Sequence, residues 1–181
     1  MNLAIIDVQP CYRQGANAVR DALVPLLNEG AYDRVVFIRV NEELSGDTEW
    51  DALEYWADAG VSAEVLESAV HLEKTYAFFR GWMDNGVDDE VIVTAAKLLR
   101  QNNAWDTREL DEEELDAIEE GLAQRADPLH RPDELEQEAW RFERKQWTLC
   151  GGGRHECLKE FELWLDSLDI THERLEHLVY G

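Results

Sequence analysis

The run Trp147-Thr-Leu-Cys-Gly-Gly-Gly-Arg-His-Glu-Cys-Leu-Lys-Glu-Phe-Glu-Leu-Trp-Leu165 has the residue order from which a reactive cysteine is built. An apolar segment leads into three consecutive glycines, and a helical pattern then begins with Cys157 in its first turn. Such a loop, Gly151, Gly152 and Gly153 with Glu156 behind them, lets the backbone turn tightly and aim several N–H groups at one point. A helix N-terminus adds partial positive charge there, which favours an anion or a thiolate. A thiol attacks an amide or similar carbonyl only as the thiolate, so either a base must accept its proton or its pKa must fall. Backbone amides from Gly152 to Glu156 are then placed to stabilise an oxyanion. A second conspicuous residue is Asp7, an acid inside the apolar run Leu3-Ala-Ile-Ile-Asp-Val8, where a carboxylate needs a reason to be.

The elements that must hold these residues follow from periodicity. Leu3–Val8 reads as a buried parallel strand stopped by Gln9-Pro10. Val19, Leu23, Leu26 and Leu27 share one face of a helix over 17–27, which Pro25 is expected to kink or end. Arg34–Val40 is a second strand, and strand, helix, strand within about 40 residues is a βαβ unit. Asp47 or Thr48 caps a helix through Ala59, and 62–68 reads as another helical turn. A short strand over 70–74, an aromatic helix over 76–83 and a helix from an Asp88 cap to Gln101 follow. Residues 104–139 form an acidic insertion, helical around 111–125, before 141–150 re-enters the sheet. Residues 173–180 alternate as a last, edge strand. The expected fold is one α/β domain over 1–181, a three-layer sandwich with a mostly parallel central sheet flanked by helices. In open sheets of this kind ligands bind beyond the carboxyl ends of the strands, where the glycine loop would lie.

Three stretches fall in a recognisable order. Ile5-Ile-Asp-Val-Gln-Pro-Cys-Tyr12 resembles the opening strand of the isochorismatase-like cysteine hydrolases, Ile-Asp-x-Gln followed by an aromatic. Glu73-Lys-Thr-Tyr-Ala-Phe78 resembles that family's Lys-x-x-x-Ala-Phe segment. Gly151, with Cys157 six residues on and apolar Leu158 after it, is similar to its nucleophile turn. The resemblance implies Asp7 as general base, Lys74 as its charged neighbour and Cys157 as nucleophile, acting on a small amide or related molecule. Gln9, Tyr12, Phe78 and Trp82 are candidates for the pocket wall. Where the family carries a small Thr-Ala pair after the cysteine, this chain has Lys159-Glu-Phe161. No Asp-x-His pair follows the second strand, so neither a metal nor another cofactor is implied.

Composition narrows the classes. With 40 Asp and Glu against 17 Lys and Arg, the formal charge of −23 argues against nucleic-acid and membrane partners. The 45% apolar content supports a packed core, and no apolar run reaches membrane-spanning length or reads as a signal peptide. An odd set of cysteines, Cys11, Cys150 and Cys157, predicts reduced thiols in a cytoplasmic setting. Two further classes compete with the hydrolase. Asp7, Asp47, Glu49 and Glu156 could gather Mg²⁺ in a nuclease of the PIN or NYN kind, although the chain offers no basic surface for nucleic acid. A non-catalytic binding protein on the same scaffold is the other, and self-association into a homo-oligomer is left open.

Overall fold

A computed structural model describes residues 1–74, 78–116, 118, 128–143 and 145–181. In chain order the described elements are β1 (Asn2–Ile6), α1 (Arg13–Asn28), β2 (Arg34–Val40), α2 (Glu42–Ser45), α3 (Glu49–Asp58), α4 (Ala63–Ser68) and β3 (Val70–Lys74). They continue with α5 (Arg80–Asp84), α6 (Asp89–Gln101), α7 (Glu112–Asp116), α8 (Asp133–Gln137), β4 (Trp147–Gly151), α9 (Cys157–Ser167) and β5 (His172–Val179). The strands form a five-stranded sheet in the order β3-β2-β1-β4-β5, with every neighbouring pair parallel. The expected α/β sandwich is therefore present, and its sheet is parallel throughout the described strands.

Alternation along the strands divides the core in two. Leu3, Ile5, Phe37 and Cys150 face α1 and α3, packing with Val19, Leu23, Leu27, Tyr55 and Trp56. Ala4, Ile6, Val36, Ile38, Leu72, Trp147 and Leu149 face the other layer, which α6 and α9 fill with Ile92, Leu99, Phe161 and Trp164. The chain winds outward from β1 to β2 and β3, then returns past β1 to β4 and β5. That reversal makes the carboxyl ends of β1 and β4 the topological switch point, the crevice where such sheets bind ligands.

Several local expectations change. α1 begins at Arg13 and runs through Pro25 to Asn28, because the carbonyl deprived of its partner belongs to exposed Asp21 and water can reach it. Thr48, not Asp47, caps α3, in a reciprocal capping box with Asp51. Asp88 occupies the cap position of α6 without a side-chain capping bond. β4 is shorter than 141–150, since residues 139–141 form a 3₁₀ turn. The helix expected over 76–83 is described only as α5, and that over 111–125 only as α7; residues 75–77, 117 and 119–125 lie outside the described ones. The 104–139 excursion is closed at its base, where Thr107 N–H donates to Leu129 O at 3.2 Å and Arg131 N–H to Trp105 O at 2.9 Å. Leu110, Ile118, Leu129 and Leu135 from it are buried in the α6–α9 core. Among the described residues no helix is long and apolar enough to cross a membrane.

Candidate functional site

Register brings the two ends of the site together. Ile6 pairs with Ile38 on one side and Gly151 on the other, so Asp7 and Gly152 emerge side by side from adjacent strands. Gly151 has φ +113, and a Cβ there would sit 2.1 Å from the Ile6 carbonyl oxygen, so only glycine allows β4 to end against β1. Asp7 itself lies in the left-handed region at φ 55, a conformation that costs about 1–3 kcal/mol and tends to mark functional sites. Its amide donates to Ile38 O at 2.8 Å, and its carbonyl accepts from the Tyr180 hydroxyl at 2.5 Å. The backbone turn at Asp7 is thus held from both sides.

Lys74 reaches the same place from β3, two strands away. Leu72 faces the α9 layer, and alternation puts Lys74 on that face at the strand's carboxyl end. Its Nζ lies 2.9 Å from Asp7 Oδ2, with 4% of the lysine side chain and 1% of the aspartate side chain exposed. Burial by itself would lower the lysine, but Asp7, Cys157 and Glu160 outweigh it and raise the lysine above its ordinary range. The ammonium therefore keeps its charge beside Asp7. Breaking such a pair by removing one partner costs about 3–5 kcal/mol.

Cys157 opens α9 close enough to Asp7 for the carboxylate to act on its thiol electrostatically. Burial, followed by the negative charge of Asp7, pushes its thiol up to about 12 despite the opposing pull of Lys74. The helix terminus and the ammonium thus do not yield a standing thiolate, contrary to the simplest expectation from the loop. The other thiols differ in setting: Cys11 is exposed, and Cys150 is buried on the opposite face of the sheet.

The glycine loop is also more committed than its sequence suggests. Gly152 N–H donates to Ile6 O at 2.8 Å, Arg154 N–H to Tyr180 O at 3.1 Å and Glu156 N–H to Gly153 O at 2.7 Å. Among the described residues the amides of Gly153, His155 and Cys157 make no such bond, which moves the free donors to the start of the helix. Glu156 has its side chain turned to Arg80, at 2.9 Å.

The structure places the remaining candidates as follows. Gln9 is buried and serves the scaffold: its Oε1 accepts from Val40 N–H at 2.8 Å and its Nε2 donates to Asp47 Oδ2 at 3.3 Å. Phe78 and Trp82 are buried in the α6–α9 core. Tyr12 is partly exposed and interacts electrostatically with Asp7 and Cys157. Two residues that the sequence motifs did not point to join the cluster. Glu160, three residues after Cys157, is fully buried, and Tyr180 packs its hydroxyl over Gly152. A signal for Glu160 existed, an acid inside the apolar stripe of α9; Tyr180 carried none.

Comparison with protein-family models, curated proteins and solved structures finds no match. What the site does has to be argued from its own geometry.

The four carboxylates of the nuclease alternative are engaged separately. Asp7 pairs with Lys74, Asp47 accepts the Cys11 amide at 2.8 Å, Glu156 pairs with Arg80, and Glu49 lines a separate cleft with Arg39 and His71. Among the described residues no group of three or more His, Cys, Asp or Glu could hold a metal ion.

Proposed function

We propose that this chain is a cysteine hydrolase acting on a small amide or related acyl compound. The observation that carries the reading is the convergence of Asp7, Lys74 and Cys157, from the ends of β1 and β3 and the start of α9, on one buried spot at the sheet's switch point. The same three residues carry the resemblance to the isochorismatase-like cysteine hydrolases. Because the resting thiol is protonated, the step needs a base at the moment of attack. Asp7 takes the Sγ proton as the carbon–sulfur bond forms, and returns it to the leaving nitrogen as the carbon–nitrogen bond breaks. A water, deprotonated by Asp7, then hydrolyses the thioester and restores the thiol. Lys74 offsets the carboxylate charge throughout, and the free amides at the start of α9 are the donors for the oxyanion.

A generic acyl donor tests this without knowledge of the natural substrate. With p-nitrophenyl acetate the wild type should show a burst of p-nitrophenolate and an acetyl group on the Cys157 peptide in mass spectra of quenched samples. Cys157→Ala should lose both. A burst that survives in Cys157→Ala, or acetylation confined to other residues, sinks the reading.

A further inference from the structure

We propose that Glu160 is a fourth member of the site, a positioning residue that holds the start of α5 against α9 and, through its own charge, sets how readily Cys157 releases its proton. This rests on the reading of Cys157 as nucleophile. Glu160 is 0% exposed, at a depth where glutamate is rare without a partner. Its Oε1 accepts the Phe79 N–H at 2.7 Å, and the Arg80 amide lies near enough to favour the charged carboxylate. Its Oε2 is buried with no hydrogen-bond partner among the described residues. One oxygen therefore ties α9 to the residue before α5, while the carboxyl as a whole feels the charges of Lys74 and Asp7.

The groups around it can be named. Lys74 comes from β3, Asp7 from the end of β1 and Cys157 from its own helix. The start of α5 presents amides to it, those of the cap residue Phe79 and of Arg80. α6, which packs along α9, buries Ile92, Ala95, Ala96 and Leu99, and its own charged contacts to α9 are Asp89 with Lys159 and Arg100 with the Ser167 carbonyl. One ammonium therefore faces two carboxylates and a thiol. With Glu160 ionised the cluster already has one negative charge in excess, and a thiolate would add a second in a poorly solvated site. With Glu160 protonated the cluster is neutral, and the thiolate costs less. Burial first, offset in part by Lys74 and the two amides, pushes Glu160 up to about 7, so both forms are populated near neutrality.

The test is the rate of iodoacetamide labelling at Cys157, followed by peptide mass spectrometry from about pH 5.5 to about pH 9. A thiol far below its pKa should gain about tenfold in rate per pH unit. Wild type should depart from that line with a shelf beginning near pH 7, ending about tenfold below the extrapolated rate. Glu160→Gln, which keeps an acceptor for the Phe79 amide, should give one unbroken line. An unbroken line in wild type overturns the proposal even if the variant fails to fold, as does a shelf that persists in a folded Glu160→Gln. Asp7→Asn separates the role of Glu160 from that of the site as a whole. If its Cys157 rate changes while Glu160→Gln superimposes on wild type, the Glu160 proposal alone falls. If neither substitution alters Cys157, the reading of the whole site falls with it.

Discussion

Among single residues, Asp7 has two opposed effects on Cys157, and they can be measured apart. As a resting charge it raises the thiol; in the proposed hydrolase it would also accept the thiol proton during attack on an acyl group. Asp7→Asn should therefore speed iodoacetamide labelling of Cys157 near pH 8 by about tenfold. The same variant should slow turnover of p-nitrophenyl acetate by about 10²–10⁴-fold. Movement of both rates in one direction would contradict the base assignment. Glu160 makes a separate prediction in stability. Its folded-state value near 7 stands above the ordinary 4.5, so the folded state holds a proton that the unfolded chain has lost between those limits. Stability tied to this group is whole below about pH 4.5 and is lost as pH rises through about 7. Relative to wild type, Glu160→Gln should gain about 3 kcal/mol between pH 4.5 and pH 8 in urea unfolding. A difference that does not change with pH would mean Glu160 is not buried as an acid.

At the level of elements, the site depends on a close meeting of β1, β4, α1 and the residues after β5. The Tyr180 ring lies against Gly15 of α1 and against Gly152, where an added Cβ would meet its hydroxyl oxygen at 2.1 Å. That hydroxyl holds the carbonyl of Asp7 in its left-handed turn. Gly152→Ala should lower stability by about 1–3 kcal/mol through overpacking. Tyr180→Phe should cost about 1 kcal/mol through the lost hydrogen bond. Both changes act on one contact, so a double-mutant cycle by chemical denaturation should be non-additive; simple addition would show the two sites to be independent. The strands and the longer helices were readable because burial of a parallel sheet leaves continuous apolar runs and α helices leave a 3.6-residue stripe. The continuation of α1 through Pro25 was not, since it depends on a carbonyl being solvated in the folded protein.

Across the whole molecule the strongest electrostatic feature is a charge of −23 spread over exposed helix faces and loops. Such a surface repels itself, and added salt screens the repulsion. The melting temperature should rise from about 0.02 M to about 0.5 M NaCl, by about 2–4 °C for each kcal/mol of repulsion removed. A fall would mean that surface ion pairs such as Lys97–Asp169 and Lys159–Asp89 outweigh the net field. The Asp7–Lys74 pair is shielded from that effect, because its members are buried and screen poorly.

The sequence by itself determined the α/β class and the order of its strands and longer helices, and it singled out Asp7, Lys74 and Cys157 as candidates. It could do so because strand burial, helical stripes and glycine turns are local patterns, and a charged residue at the end of an apolar strand is visible in one dimension. Only the tertiary structure decided that the glycine loop begins as a tightly committed strand end. It alone showed that burial and Asp7 raise the thiol at the head of α9 and that Glu160 and Tyr180 lie beside the same residues. Desolvation and through-space charge depend on what surrounds a group from every side, and those neighbours come from β1, β3, α9 and the residues following β5, far apart along the chain.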